Sequence, residues 1–323
     1  MSDWRPTCTV ETARRRAALL AQARAHFAAR GVLEVETPML SPAAVTDPHI
    51  ESVEARLELD RARPRWLRTS PEFAMKRLLA AGFPDIFEIG RVFRDGERGA
   101  RHQPEFTLVE WYRHGFGLAE IVADTVAFVS ALVPRRLLAR EAEALDYREA
   151  FRRHAGLDPF AAPVSALAEA AGADRPLRDA LGDHRDGWLD LVLATRVVPR
   201  FGKDRLTVLQ HYPATQAALA RLCPQDAARA DRFEVFFGEL ELANGFVELA
   251  DAAEQAARFA ADQARRRAAG LPLRPVDARL LAALAAGLPP CAGVAVGFDR
   301  LAMIGEMTED IRRVQTFAFE DPA

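Results

Sequence analysis

Apolar and polar positions recur with two different periods along the chain. Leu20, Ala23 and Phe27 fall at helical spacing within residues 11–30, which predicts an amphipathic helix. Arg16 interrupts the apolar side of this helix near its N-terminal end. Ile86 to Phe93 and Phe106 to Arg113 are instead strand-like runs, joined by a loop rich in Gly, Arg and His. The first part of the chain is therefore expected to form a sheet with a helix packed against it.

The rest of the chain continues this mixture of helices and strands. Further strands are predicted at 32–40 up to Pro38, at 66–69, at 206–210, within 233–249 and at 294–296, and further helices at 70–81 with Ser70 as N-cap, at 252–268 and from 298. Residues 117–205 are patterned mainly as helices and are interpreted as an insertion. We expect one α+β domain over residues 1–323, and no motif indicates what the insertion does.

Composition narrows the function classes. The 43 Lys and Arg residues against 46 Asp and Glu give a net charge of −3, which disfavours a protein that coats nucleic acid. Only Lys76 and Lys203 are lysines, so Schiff-base chemistry has two candidates. The three cysteines are widely spaced, which favours neither a disulfide framework nor a zinc site. No secretory leader or long apolar run is present, so we expect a cytoplasmic protein without a membrane partner.

Several acids lie on segments that are otherwise apolar. Alternation places Glu110 and Tyr112 on one strand face, and places Asn244, Phe246 and Glu248 together on a face of a later strand. Glu234 and Glu241 occur in the same apolar stretch. Buried carboxylates need partners, whereas the same acids on the solvated face of a sheet would need none. Both interpretations are open from the pattern alone.

Two arginines occupy junctions where a guanidinium can reach a bound anion. Arg94 ends one strand, Arg300 opens the last helix, and His102 lies in the glycine-rich loop as a candidate phosphate ligand. Each residue alone is also compatible with an ordinary surface position. Neither a dinucleotide fingerprint nor a P-loop motif occurs in the sequence.

Three strings in fixed order carry a family resemblance. Gly31–Pro38, the run from Phe93-Arg94 through His102-Gln-Pro-Glu-Phe106, and Gly297-Phe-Asp-Arg300 are similar to motifs 1, 2 and 3 of class II aminoacyl-tRNA synthetases. Thr69-Ser-Pro-Glu72, Pro104 to Tyr112 and Glu241 to Leu249 resemble lysyl-tRNA synthetases in particular. The resemblance implies an antiparallel sheet flanked by helices and an amino acid with a cationic side chain.

Motif 1 starts after a single predicted helix, which leaves no room before it for an anticodon-binding barrel. The chain thus resembles the elongation factor P lysine ligases. That resemblance implies ATP-dependent activation of lysine or (R)-β-lysine, transfer to a lysine of elongation factor P, no tRNA charging, and a homodimer built around motif 1. The preferred donor isomer is open at this point.

The resemblance also implies residue roles. ATP would be bound by Arg94, Glu97, His102, Phe106, Glu241 and Arg300, with Arg94 and Arg300 catalytic; magnesium by Glu234 and Glu241; and the substrate lysine by Glu72, Glu110, Tyr112, Asn244, Phe246 and Glu248. In the family a Glu stands two residues after the motif 2 arginine, where this chain has Gly96. The contact to adenine would then come from Glu97 or from a backbone carbonyl.

Two other functions are compatible with the same motifs. One is a stand-alone enzyme that adenylates an amino acid or forms an amide. The other is a catalytically silent regulatory subunit, which retention of Arg94, Arg300, Glu234 and Glu241 disfavours.

Overall fold

A computed structural model of the protein describes residues 4–319, in which the chain folds as two compact units. The first unit comprises residues up to Phe116 together with those from Ala250 onwards, and the second is Gly117–Leu249. The outermost residues of the predicted 1–323 domain, 1–3 and 320–323, lie outside the described part. Among the described helices, none is both long and apolar enough to span a membrane.

The helices of residues 4–319 are α1 (Val10–Ala28), α2 (Glu72–Ala80), α3 (Leu118–Leu132), α4 (Tyr147–Ala155), α5 (Val164–Ala170), α6 (Arg175–Leu181), α7 (Arg185–Val192), α8 (Ala252–Ala268), α9 (Ala278–Gly287) and α10 (Phe298–Glu306). Their N-terminal caps follow local chemistry. Thr9 caps α1 through its side chain, and Asp251 caps α8 by accepting the backbone N–H of Glu254.

The strands are β1 (Leu33–Glu34), β2 (Leu40–Ser41), β3 (Glu54–Ala55), β4 (Arg65–Leu67), β5 (Ile86–Phe93), β6 (Glu105–His114), β7 (Glu143–Asp146), β8 (Leu206–Gln210), β9 (Leu222–Cys223), β10 (Asp226–Ala230), β11 (Arg232–Phe237), β12 (Leu240–Val247) and β13 (Cys291–Gly297). Most of these strands are short. The longest are β5, β6 and β12, and the first two coincide closely with the predicted runs 86–93 and 106–113.

The first unit is organised around strands in the order β1-β5-β6-β13. Strand β6 pairs antiparallel with both β5 and β13, whereas β1 runs parallel to β5. A separate three-stranded sheet has the order β2-β4-β3. Helix α1 covers one face of the β5–β6 pair, since the Phe27 ring stacks on Phe87 at 4.4 Å and lies 5.1 Å from the Trp111 ring. Glu110 and Tyr112 therefore lie on the opposite face.

The second unit contains strands in the order β12-β11-β8-β7 and a small β9–β10 hairpin. Strand β11 is antiparallel to β12 and to β8, and β7 is parallel to β8. Gly238 forms the β11–β12 turn with φ +54°, a left-handed conformation that favours glycine. The pairing shifts register between Val235 and Phe236, which is typical of a β-bulge.

The section 117–205 contributes helices α3 to α7 and strand β7 to the second unit. Helices α4 and α7 bury Tyr147, Phe151, Trp188 and Leu189 in one cluster with Leu209 of β8. This helical section thus forms a core together with strands that follow it in the sequence. The single domain with an inserted helical section remains a prediction.

Three expectations need correction or refinement. The sheet strands are not all antiparallel, because β1–β5 and β7–β8 are parallel and each pair is joined by a connection long enough for a crossover. The predicted strand 32–40 is reduced to β1 and the start of β2, since Pro38 lacks the N–H that a ladder requires. Helix α2 begins at Glu72, so its N-cap is Pro71 rather than the predicted Ser70, although the Ser70 hydroxyl accepts the Glu72 N–H at 3.0 Å.

Candidate active site

Arg94 lies directly after β5, at the start of the glycine-rich loop. Its guanidinium carbon is 5.1 Å from the centroid of the Phe106 ring at the start of β6, and Nη1 donates to Glu97 Oε1 at 3.4 Å. Within the described residues, Arg94 Nε is buried without a hydrogen-bond partner. The structure therefore brings Arg94, Glu97 and Phe106 together and leaves a donor of Arg94 for a ligand.

Gly96 has φ +76°, a conformation in which a glutamate would be strained. This backbone geometry gives a physical reason for glycine where the family motif has Glu. The adjacent Glu97 bonds to Arg94, and its contact to adenine remains a prediction.

Arg300 and His102 form a second contact in the first unit. Arg300 Nη2 is 2.8 Å from His102 Nε2, although the two residues are 198 positions apart in sequence. Asp299 fixes this helix start, because its carboxylate accepts the Thr107 N–H at 2.7 Å and pairs with Arg16 at 2.6 Å. The arginine that interrupts the apolar side of α1 is thus the partner of an acid next to Arg300.

Glu110 is buried on β6 and is bonded by two hydroxyl groups. Ser70 Oγ donates to Oε2 at 2.7 Å and the Tyr112 hydroxyl donates to Oε1 at 2.7 Å. Burial, followed by repulsion from Glu72, raises the pKa of Glu110 to about 7, against the lowering effect of the two hydrogen bonds. Glu110 therefore lacks a compensating cation among the described residues, and a ligand ammonium would supply one.

Glu72, in the first turn of α2, already has a cationic neighbour. Lys76 Nζ donates to Glu72 Oε1 at 2.7 Å, and the Lys76 side chain is only 1% exposed. The pair follows the i,i+4 spacing at which Glu and Lys interact along a helix. One of the two lysines thus has a structural partner, and Glu72 keeps its second oxygen for other contacts.

In the second unit, Glu234 lies on β11 and is held through both oxygens. The Tyr212 hydroxyl donates to Oε2 and Arg232 Nη2 donates to Oε1, each at 2.6 Å. Burial, followed by repulsion from Glu241, raises the pKa of Glu234 to about 7 in spite of Arg232. The carboxylates of Glu234 and Glu241 supply oxygen ligands of the kind that suit a divalent cation shared with phosphate oxygens.

The remaining candidates of the second unit lie on or just after β12. Asn244 is the register partner of Glu234, and its Oδ1 is buried without a hydrogen-bond partner among the described residues. Glu248 is 5% exposed and pairs with Ala220 through an isolated β-bridge. Phe246 is partly buried against a small core of alanines, which includes Ala220.

Sequence reasoning did not single out the residues that support these carboxylates. Tyr212 and Arg232 hold Glu234, whereas Ser70 holds Glu110 and was assigned only as a helix cap. Arg232 had a detectable signal, because it is two residues before Glu234 and so shares its strand face. Ser70 and Tyr212 had none, since the contacts join segments 40 and 22 residues apart.

Comparison with known proteins bears on the family, the fold and the enzyme class. The family model described as tRNA synthetases class II (D, K and N) matches residues 2–321. The chain belongs to this family. Membership in the class II synthetases confirms the predicted α+β fold of that type and an ATP-dependent ligase as the enzyme class.

Curated relatives extend over almost the whole chain. A protein of Klebsiella pneumoniae (strain 342) is 44% identical over 99% of this chain and 98% of its own length. Proteins of Haemophilus influenzae (strain PittGG) and Hamiltonella defensa are 43% and 42% identical, over 99% of this chain and 99% and 98% of their own lengths. Each of the three is named elongation factor P–(R)-β-lysine ligase. The predicted resemblance to that group is confirmed.

Proposed function

We propose that the protein activates (R)-β-lysine or lysine with ATP and transfers the aminoacyl group to a lysine side chain of elongation factor P. The observation that carries the proposal is Glu110, a buried carboxylate bonded by two neutral hydroxyls. A buried anion of this kind is stabilised by a ligand cation, as lysine isomers provide. The names of the relatives favour the (R)-β isomer and elongation factor P.

In the first unit, Glu110 and Tyr112 bind the side-chain ammonium of the donor, and Glu72 receives its other amino group. In the second unit, the family resemblance assigns Glu248 and Phe246 to the donor side chain and Asn244 to its carboxylate. These acids set the charge preference, because an anionic donor side chain would be repelled by Glu110 and Glu72.

For ATP, Arg94 binds the α-phosphate and the donor carboxylate, and Phe106 stacks on the adenine. Arg300 binds the γ-phosphate side next to His102, and Glu97 completes the nucleotide contacts. Magnesium would be held by Glu234 and Glu241, and when bound it neutralises charge on the phosphates. The donor set fits this ion, since carboxylate oxygens are its preferred protein ligands.

The reaction proceeds in two steps. A carboxylate oxygen of the donor attacks the α-phosphorus in line, a new P–O bond forms, and pyrophosphate leaves with the electrons of the broken P–O bond. The neutral amine of the acceptor lysine then attacks the carbonyl carbon, an amide forms with loss of the amine proton, and AMP leaves. Arg94 contributes by holding charge that develops on the α-phosphate.

Exchange of labelled pyrophosphate into ATP tests the first step. We expect exchange that requires Mg²⁺ and either lysine isomer, with a lower KM for (R)-β-lysine. Arg94→Ala should reduce the rate by about 100-fold, the usual loss for a charged transition-state donor. Absence of stimulation by every amino acid would contradict the proposed donor chemistry.

A transfer assay tests the second step. Labelled (R)-β-lysine and lysine are offered with elongation factor P or with tRNA-Lys as acceptor. We expect labelling of the protein and no charging of tRNA. Efficient tRNA charging without labelling of the factor would show a minimal synthetase instead.

We further propose a cytoplasmic homodimer. Leu33, Met39 and Leu40 are exposed apolar side chains on the segment that resembles motif 1, at 44%, 44% and 38% exposure. Exposed apolar side chains concentrated in one short segment are common at subunit interfaces. Sedimentation equilibrium at micromolar concentration should give twice the 35.6 kDa chain mass, and a single monomeric species would exclude the dimer.

A further inference from the structure

Arg266, near the C-terminal end of α8, is fully buried in the first unit although it carries a charge. Its three nitrogens have separate acceptors: Nε donates to Pro272 O at 2.7 Å, Nη1 to Asp47 O at 3.1 Å and Nη2 to Glu51 Oε2 at 2.6 Å. A buried guanidinium is costly unless it is paired and fully bonded. Here that requirement fixes three chain segments relative to one another.

Glu51 receives a second guanidinium, because Arg274 Nη2 donates to its other oxygen. Burial alone would raise the pKa of Glu51, but the hydrogen bonds from Arg266 and Arg274 outweigh it and hold that pKa below its usual range. Thr46 adds an anchor to the same helix through Asp262 Oδ2 at 2.6 Å. The segment before Glu51 is therefore fastened to α8 at several points.

The backbone of Glu51 touches the candidate active site. Asp95 N donates to Glu51 O at 2.9 Å, in an isolated β-bridge between these two residues. Asp95 directly follows Arg94, whose own N–H donates to Pro104 O at 2.9 Å. The direction in which Arg94 leaves β5 thus depends on where Glu51 lies.

We infer that Arg266 is a positioning residue for adenylation: through Glu51 it fixes the backbone that directs Arg94 toward the nucleotide. The inference rests on the proposed function for its kinetic part. A guanidinium is suited to this role because its planar fork sets several directions at once, which an ammonium does not. An apolar side chain of equal size would fill the space but would leave Glu51 without this constraint.

Two variants test the role. Arg266→Lys keeps the charge and loses the fork, and Glu51→Gln keeps the backbone bridge and loses the charge. In pyrophosphate exchange, we expect kcat/KM for ATP to fall by about tenfold in each, because a displaced Arg94 no longer holds the charge that develops on the α-phosphate. Hydrogen exchange should accelerate at the Asp95 amide and through residues 94–106.

Arg267→Lys is the matched control, since Arg267 is the exposed neighbour of Arg266 on the same helix. It should leave both measurements at wild-type values. The inference is overturned if folded Glu51→Gln protein retains the wild-type kcat/KM for ATP, or if hydrogen exchange at the Asp95 amide is unchanged. If wild-type protein shows no donor-dependent pyrophosphate exchange, the proposed function fails. The rate of hydrogen exchange at the Asp95 amide still tests whether Arg266 fixes this segment.

Discussion

Two buried carboxylates, one in each unit, have the same raised pKa and different partners. Glu110 and Glu234 both lie on strands, and burial followed by repulsion from a second glutamate raises each pKa to about 7. Glu110 is bonded by the hydroxyls of Ser70 and Tyr112, whereas Glu234 is bonded by Tyr212 and the Arg232 guanidinium. The two sites thus differ in whether the protein itself supplies a cation.

This difference indicates which ligand each site is suited to. The two hydroxyls orient the Glu110 carboxylate without neutralising its charge, so a monovalent ammonium can still pair with it. Arg232 already pairs with Glu234, whose carboxylate together with that of Glu241 offers oxygen ligands to an ion that also binds phosphate. Selectivity for the donor would therefore reside mainly at Glu110, and selectivity for the metal–nucleotide pair at Glu234.

The largest expected effect is from Glu110→Gln, which should separate the two sites. Removing the buried partner of an ammonium typically costs several kcal/mol, so we expect the donor KM to rise by about 100-fold or more. The KM for ATP should change by less than about threefold. Steady-state pyrophosphate exchange, with the donor and ATP concentrations varied in turn, measures both KM values. Glu105→Gln, at an exposed position on the same strand, is the control.

Equal losses for donor and ATP in the Glu110 variant would show that Glu110 is structural. The control should retain wild-type values for both substrates, because the Glu105 side chain lies at the surface, where it pairs with Arg91 at 3.5 Å.

The second prediction concerns pH. Glu110 must be ionised to bind an ammonium, and its pKa of about 7 in the ligand-free protein means that protons compete with the donor below neutrality. The donor KM should rise by about tenfold for each pH unit below 7 and level off above it. Glu110→Gln should abolish this dependence, and a pH profile unchanged in the variant would assign the titration to another group.

The local patterns that predict the fold are those that depend on neighbouring residues. Strands β5, β6 and β13 and helices α8 and α10 lie where alternation and capping place them, because these signals act within a few residues. The parallel direction of β1 depends on a long connection, so local patterning does not predict it, and β7 lies in the section 117–205 that is patterned mainly as helices. The cap of α8 by Asp251 is one such local signal. Pro38 is another, because a residue without an N–H ends the predicted strand 32–40.

The contacts of the candidate site also divide into those with a local sequence signal and those without one. Glu110 and Tyr112 share a face by simple alternation, and the structure joins them at 2.7 Å. The contacts of Arg16 with Asp299 and of Arg266 with Glu51 span most of the chain and carry no local signal. A charged residue that interrupts an apolar helix side, such as Arg16, nevertheless predicts that a distant partner exists.

The third prediction sharpens the comparison from the Glu234 side. Tyr212→Phe removes the phenolic hydrogen bond but keeps Arg232, so Glu234 should stay in place with one oxygen less firmly oriented. We expect the Mg²⁺ concentration for half-maximal exchange to rise by about threefold, in line with loss of one hydrogen bond. The donor KM should not change. A larger effect on the donor than on Mg²⁺ would reverse the assignment of the two sites.

The smallest expected effect is on stability, and its sign follows from the raised pKa. The folded protein holds a proton on Glu110 up to about pH 7, whereas the ordinary pKa of a glutamate in an unfolded chain is 4.5. Between these values the folded state binds more protons, so this group makes the free energy of unfolding fall as pH rises, and the full penalty is present above pH 7.

Glu110→Gln stays neutral and escapes that penalty. Without ligands, urea unfolding should therefore find the variant more stable than wild type by on the order of 1 kcal/mol at pH 8, with the difference shrinking toward pH 5. Glu105→Gln should show no such trend, because Glu105 is exposed. A Glu110 variant that is less stable than wild type at pH 8 would mean that the ionised carboxylate is stabilised by its hydroxyl partners. In that case Glu110 would no longer differ from Glu234 in needing an external cation.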